Sequence, residues 1–227
     1  MATVSVVTPS VSKTNPDIFS QFLPRYWNAI ASMDPLPDQV VIAHSINDYC
    51  GVTNIPEGFP VKVKLIPVNA TRTHDFGVAA MDAVETDWIS FCGLDDQMLP
   101  DAYKDIQAAT EADADILVGG IKLSVGTDVM GRWALESIKY ANNIAAHCPF
   151  TKRLYDRLGP WPDIRWNDWG WWAKCYKENV NVYHTDTRFV IFDVGADHPT
   201  ESGIAFAGEE RSQADIEVKK FIEELGI

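Results

Sequence analysis

Residues 87–100 read DWISFCGLDDQMLP, and this stretch decides which fold the chain adopts. The segment WISFC is short, aromatic and β-branched, which is typical of a buried strand, and Gly93 marks its end. Two adjacent carboxylates, Asp95 and Asp96, follow at once. Because neighbouring side chains on an extended chain point to opposite sides, both serve one site only where the chain turns, and Gly93 permits a turn. The stretch therefore predicts a carboxylate pair at the carboxyl end of a strand, where ligands bind in open α/β sheets.

The Asp95–Asp96 pair has two interpretations on its own. A hard divalent cation that holds a diphosphate takes oxygen ligands of this kind, so the pair is a candidate metal and diphosphate site. A solvated β-turn also favours Asp at its polar positions. The rest of the chain has to decide between these two interpretations.

Strands alternate with amphipathic helices through the first half of the chain, and this spacing predicts a mainly parallel sheet flanked by helices. Predicted strands cover residues 3–8, 39–43, 61–66, 88–92, 116–118, 180–184 and 188–192. Predicted helices include 76–83, 100–112, 135–141, 151–158 and 212–225, with a loop at 126–133. No repeat or linker interrupts the pattern, so we expect one α/β domain over residues 1–227.

Composition narrows the classes of partner and the compartment. The 19 Lys and Arg residues against 32 Asp and Glu give a formal net charge of −13, which disfavours a broad grip on nucleic acid or on an anionic membrane. Four widely spaced cysteines indicate neither a zinc site nor a disulfide framework. No basic leader and no apolar run of bilayer length follows Met1, so we expect a cytoplasmic protein without a membrane partner.

Six short motifs follow one another along the chain. They are Thr8-Pro9, HDFG at 74–77, FCGLDDQMLP at 91–100, FTKRLYDRLG at 150–159, NDW at 167–169, and His198 followed by Ser202. In this order the motifs resemble those of the family 2 glycosyltransferases, whose domain has the GT-A fold, a Rossmann-like α/β architecture. The resemblance spans most of the chain and implies that fold here.

The resemblance also implies a role for each matching residue. Asp95 takes the place of the metal-binding last Asp of the family's DxD motif, Asp96 follows it, and Gly93 stands where the first Asp usually is. Asp168 takes the place of the catalytic base, and His198 that of a histidine that can complete the metal site. The residues implied in donor binding are Thr8, Pro9, His44, His74, Asp75 and Asp95, with His44 at the position where the second strand usually carries an acid that reads the base.

The tryptophan-rich stretch leaves alternatives open for these roles. Asp168 also fits a helix-start acid that the helix dipole stabilises, and Asp163 is the reserve candidate for the base. Five of the eight tryptophans fall between Trp161 and Trp172, and we expect most of them to pack the core while one or two line a cleft. The polar and Gly-rich run at 195–208 fits a lid that carries His198.

Together these features predict an inverting, metal-dependent glycosyltransferase. The expected donor is a nucleoside-diphosphate sugar, a UDP-sugar in the first instance, and the expected cofactor is a divalent cation, Mn²⁺ or Mg²⁺, at Asp95, Asp96 and His198. Residues 1–120 would bind the nucleotide sugar. Residues 121–227 would bind the acceptor and supply the lid and the C-terminal helix.

The acceptor stays open at this point, with a protein or a glycan considered. A compact single domain of this kind also resembles phage-encoded glycosyltransferases, which implies a host cytoplasm. Two other functions remain: a nucleotidyltransferase of related fold, and a non-catalytic pseudoenzyme that binds a sugar nucleotide.

Overall fold

The computed structural model describes residues 1–10, 16–193 and 209–227. The strands are β1 (Val4–Ser10), β2 (Gln39–Ser45), β3 (Lys62–Val68), β4 (Trp88–Phe91), β5 (Gln97–Met98), β6 (Ile116–Leu123), β7 (Asp128–Met130), β8 (Phe150–Thr151) and β9 (Val182–Phe192). The helices are α1 (Pro16–Ala31), α2 (Thr73–Asp82), α3 (Ile106–Glu111), α4 (Leu135–Tyr140), α5 (Lys152–Leu158), α6 (Asn167–Lys177) and α7 (Glu209–Glu224). No helix in the described ranges is both long and apolar enough to cross a membrane.

The strands form one mixed sheet in the order β3-β2-β1-β4-β8-β6-β9-β5, with β7 paired to β6. The first four strands in this order are parallel, because β1 pairs in parallel with both β2 and β4, and β2 pairs in parallel with β3. Their carboxyl ends therefore share one edge of the sheet. That edge carries the ends of β1 and β4, where the sequence placed a site.

The remaining pairings make the sheet mixed, because β6 and β9 pair in parallel whereas the other contacts are antiparallel. β8 is antiparallel to both β4 and β6, β5 is antiparallel to β9, and β7 is antiparallel to β6. β7 lies in the segment predicted as a loop, and it forms because Gly126, with φ of 92°, turns the chain straight back after β6. β7 follows β6 directly and forms an antiparallel hairpin with it, while β5 and β8 are strands of only two residues.

β9 is one strand of 11 residues, where the sequence predicted two strands separated by a polar break. The break contains Thr185 and Thr187, whose hydroxyl groups both donate to one carboxylate oxygen of Asp105, at 2.5 and 2.6 Å. This carboxylate satisfies the polar side chains, so they need no solvated turn. The helix predicted over residues 100–112 is shorter in the structure, where α3 begins at Ile106 and ends at Glu111.

The tryptophan-rich stretch packs α6 against the sheet. Trp171 and Trp172 are fully buried, and the Trp171 ring lies 4.5 Å from that of Phe150 on β8. The indole N–H of Trp169 donates to the Ile138 carbonyl at 2.6 Å. These contacts fix the position of α6, and with it the position of the acidic residue in its first turn.

Candidate active site

A cleft of about 480 Å³ lies at the carboxyl ends of β1 and β4. Its walls come from the end of β1, the first turns of α2, the turn after β4, the connection between α4 and β8, and the start of α6. Five of the residues predicted for the site line this cleft together: Pro9, His74, Asp95, Asp96 and Asp168. The fold thus brings the carboxylate turn and the predicted base, 72 positions apart in the sequence, to one cavity.

Gly93 is required for a different reason from the one the sequence suggested. The turn closes through the Asp96 N–H, which donates to the Gly93 carbonyl at 3.3 Å. Both carboxylates fold back over Gly93, so that a Cβ atom there would lie 2.6 Å from Asp95 Oδ1 and 3.0 Å from Asp96 Oδ2. A side chain at this position would push the ends of both carboxylates out of the space that they occupy.

Asp96 is held inside the wall of the cleft. Only 4% of its surface is exposed, and its Oδ2 accepts the Gly93 N–H at 3.2 Å and lies 2.8 Å from His147 Nε2. His147 is itself buried, with its ring packed edge-on against Phe91 and Phe192. A buried carboxylate needs such partners, because an unpaired charge away from water is costly. Sequence reasoning gave His147 no role, since no motif pointed to it.

Asp95 is half-buried and reaches the cleft beside Asp96. Burial, and then the negative charge of Asp96, raise the pKa of Asp95 to about 7. Its backbone carbonyl accepts a hydrogen bond from the Arg25 guanidinium, which also pairs with Asp193 at 3.4 Å.

The donor set fits a divalent cation that is shared with a diphosphate. Within the described ranges no group of three or more His, Cys, Asp or Glu side chains is arranged to hold a metal ion. Asp95 and Asp96 supply carboxylate oxygens, and Mg²⁺-type sites commonly combine one or two carboxylates with substrate phosphates and waters. His198, predicted as a further ligand, lies outside the described residues, as does the predicted lid at 195–208.

Asp168 stands in the first turn of α6 and lines the same cleft as the carboxylate turn. Asn142 Nδ2 donates to Asp168 Oδ2 at 3.0 Å, and Asn142 also lines the cleft. Burial raises the pKa of Asp168, while the Asn142 hydrogen bond lowers it by a smaller amount. Asp168 therefore lies at the start of a helix, as the simpler interpretation predicted, and it also lines the cleft.

Asp163 occupies a different place. Its side chain is 56% exposed and forms an ion pair with Arg72, which also binds Asp75 at 2.7 Å. His74 lies in the same group, with its Nδ1 3.9 Å from Asp163 and its Nε2 2.9 Å from the Trp161 carbonyl. A carboxylate already bound to an arginine at the surface is poorly placed to accept a proton in the cleft.

Three residues predicted for donor binding do not belong to the cleft lining. Thr8 is fully buried, and its hydroxyl donates to the Cys92 carbonyl at 2.8 Å. His44 is 8% exposed and its Nδ1 lies 2.9 Å from the Ser45 carbonyl. Asp75 is bound to Arg72, and this contact lowers the pKa of Asp75. Of the five tryptophans between 161 and 172, Trp161 and Trp166 line the cleft.

Gly93→Ala is expected to weaken metal-dependent ligand binding at the turn while leaving the fold intact. The added Cβ would displace the ends of the Asp95 and Asp96 side chains, which move more easily than backbone. We expect a Tm change of a few degrees and a loss of at least about tenfold in affinity for nucleotide with Mn²⁺, by calorimetry. Unchanged affinity would show that the carboxylates are not held where the ligand needs them.

Comparison with known proteins places the fold. Neither a protein-family model nor a curated protein sequence matches the chain. Among solved structures, it is similar to S. aureus TarS 1-349 in complex with UDP-GlcNAc, with a TM-score of 0.67 and 17% identity over 98% of this chain and 66% of that one. The complex of TarS 1-349 with UDP gives a TM-score of 0.64 and 16% identity, over 98% and 65% of the two chains.

The chain therefore shares its fold with TarS, which is a glycosyltransferase. The longer TarS structure gives a TM-score of 0.60 at 16% identity, over 85% of this chain and 37% of that one. The chain therefore spans about two thirds of the TarS 1-349 fragment and about a third of the longer TarS chain. At this identity the likeness concerns the fold.

Proposed function

We propose that the chain is an inverting, metal-dependent glycosyltransferase that moves a sugar from a UDP-sugar to an acceptor hydroxyl. One observation carries this proposal: the Asp95–Asp96 turn and Asp168 line one cleft at the carboxyl edge of the parallel strands. The UDP and UDP-GlcNAc complexes of a protein with the same fold support a uridine nucleotide, and make UDP-GlcNAc the first donor to test.

In the proposed reaction Asp168 accepts the proton of the acceptor hydroxyl. The oxygen attacks the anomeric carbon from the face opposite the leaving group, and the bond between that carbon and the diphosphate oxygen breaks. A single displacement of this kind inverts the configuration at the anomeric carbon. Asn142 holds one oxygen of Asp168.

The carboxylate turn would receive the diphosphate. Its carboxylates repel a phosphate, so they favour a donor that arrives with a cation. Asp95, and Asp96 through the oxygen that does not face His147, would hold Mn²⁺ or Mg²⁺, which supplies positive charge for the leaving nucleoside diphosphate. Pro9, His74 and the start of α2 would border the nucleotide.

The proposal is tested by following UDP release. Purified protein is incubated with UDP-GlcNAc and other UDP-sugars, with Mn²⁺ or with EDTA, and free UDP is measured by chromatography. We expect slow release with water as acceptor, and only when the cation is present. Absence of release over the whole panel, with binding intact, would favour the pseudoenzyme.

The pH dependence of turnover follows from the raised pKa of Asp168. A general base works only when ionised, so kcat should fall as pH drops through this pKa, which lies above the ordinary Asp value of about 3.9. The acid limb of kcat, measured at saturating donor, is thus expected above that value, with circular dichroism checking that the protein stays folded. A profile that stays flat down to the ordinary Asp pKa would contradict this role.

Two other functions are weighed against this one. The pseudoenzyme gains support from Gly93, because the turn lacks the carboxylate that stands first in the DxD motif. A nucleotidyltransferase would need a basic Gly-rich segment just after β1, and residues 11–15 lie outside the described ranges. Cytoplasmic location, phage-type relatives and a protein or glycan acceptor remain predictions.

A further inference from the structure

The connection between α4 and β8 carries two side chains that contact different acidic residues of the cleft. Asn142 donates to Asp168 Oδ2 at 3.0 Å, and His147 Nε2 lies 2.8 Å from Asp96 Oδ2. The two residues are five positions apart, and both line the cleft. One short segment therefore contacts both the proposed base and the carboxylate turn.

We propose that Asn142 and His147 are positioning residues, Asn142 for the base Asp168 and His147 for the carboxylate turn at Asp96. This inference rests on the proposed function. The connection between α4 and β8 has no recognised motif. In this proposal it sets the distance between Asp168 and the carboxylate turn. Neither residue needs to touch the reacting atoms, since each acts through the carboxylate that it holds.

The segment is anchored well enough for this task. The Asn143 carbonyl accepts the Arg132 N–H at 3.1 Å, which ties the segment to the chain just after β7. The Cys148 N–H donates to the Ala145 carbonyl at 3.1 Å, and the Pro149 carbonyl accepts the Leu117 N–H at 2.8 Å on β6. A side chain on a backbone fixed at both ends orients its partner more precisely than one on a free loop.

Asn142 is chemically suited to orient a base. Its amide donates a hydrogen bond to one carboxylate oxygen of Asp168 and cannot take the proton itself, so it fixes the carboxylate without competing with it. Misplacing a reacting group by about 1 Å costs roughly a hundredfold in rate. Loss of this hydrogen bond should therefore lower kcat and leave donor affinity nearly unchanged.

His147 is suited to orient the carboxylate turn. Its ring lies edge-on between the cleft residues Phe91 and Phe192, with centroid distances of 6.2 and 6.0 Å. Its buried Nδ1 has no hydrogen-bond partner among the described residues, so the contact with Asp96 is the polar contact that directs the ring. Because Asp95 and Asp96 pack over the same glycine, releasing Asp96 would also move Asp95.

The first test is a double-mutant cycle on the base side. The test compares kcat and KM for UDP-GlcNAc hydrolysis with Mn²⁺ in Asn142→Ala, Asp168→Asn and the double variant. Asn143→Ala is the matched control, because the Asn143 amide points to Ser137. We expect Asn142→Ala to lower kcat at least about tenfold with little change in KM, and to cost nothing further in the Asp168→Asn background. Additive losses, or an effect on KM alone, would overturn the positioning role.

The second test uses donor binding, read by calorimetry with UDP-GlcNAc and Mn²⁺. His147→Ala should weaken binding at least about tenfold, and His147→Gln, whose amide nitrogen reaches a similar place to Nε2, should restore most of it. If both variants bind like the parent protein, or if Gln is as weak as Ala in a folded protein, His147 does not position the turn.

If Asp168→Asn keeps full turnover, the proposed base fails together with the role of Asn142. If Asp168→Asn is inactive while Asn142→Ala is normal, only this inference fails.

Discussion

Replacing Asp168 with Asn is expected to lower turnover at least about a hundredfold while the affinity for the donor stays nearly unchanged. The amide keeps the size of the side chain and one acceptor oxygen, but it cannot take the proton of the attacking hydroxyl. Asp168 is proposed to act on the acceptor hydroxyl and not on the diphosphate, so its loss should leave donor binding nearly intact. UDP release and calorimetric donor binding, measured on the same preparation, separate the two effects.

Asp163→Asn is the matched control for this experiment, since Asp163 lies five positions away and was the other candidate base. Its carboxylate is bound to Arg72 and is 56% exposed. We expect near-normal turnover from this variant. If Asp163→Asn binds the donor without turning it over while Asp168→Asn works normally, Asp168 is only the acid at the start of α6.

Asp95→Asn is expected to remove the metal dependence of donor binding. A ligand at a hundred times its Kd stabilises the folded state by about 2.7 kcal/mol, which corresponds to a rise in Tm of about 5–10 °C for a domain of this size. The parent protein should show this rise with UDP-sugar and Mn²⁺ and a much smaller one with EDTA. In Asp95→Asn the two conditions should give the same small rise, because the neutral amide no longer attracts the cation.

Asp101→Asn is a suitable control, because Asp101 lies a few residues further on, is 59% exposed and pairs with Lys104. It should keep the difference between Mn²⁺ and EDTA. A difference that persists in Asp95→Asn would remove Asp95 from the site, and the carboxylate turn would then be only a packed turn.

The sequence predicted the parallel half of the fold because its signals are local. Short β-branched and aromatic runs mark β1 to β4. The other half depends on contacts between distant residues. Asp105 makes the polar middle of β9 part of a strand, and β8 consists of only two residues, so neither feature has a period that can be recognised.

The same contrast between local sequence signals and contacts of distant residues applies to the candidate site. The carboxylate turn and Asp168 were found because the motifs around them keep their spacing. Asn142 and His147 lie in a segment without such a motif, and their importance appears only when the fold brings Asp168 and Asp96 to them. Gly93 was assigned to a turn, whereas two carboxylates folding back over it require the glycine, a contact that no pattern of residue types reveals.

The most direct measurement of the central claim is the configuration of the sugar that the protein releases. A panel of α-linked UDP-sugars is incubated with the protein and Mn²⁺, and proton NMR records the first-formed anomer before mutarotation. A single displacement in the cleft predicts the β-anomer, formed by the parent protein and by Asp163→Asn and lost in Asp168→Asn. First formation of the α-anomer, or release that is independent of Asp168, would contradict the account.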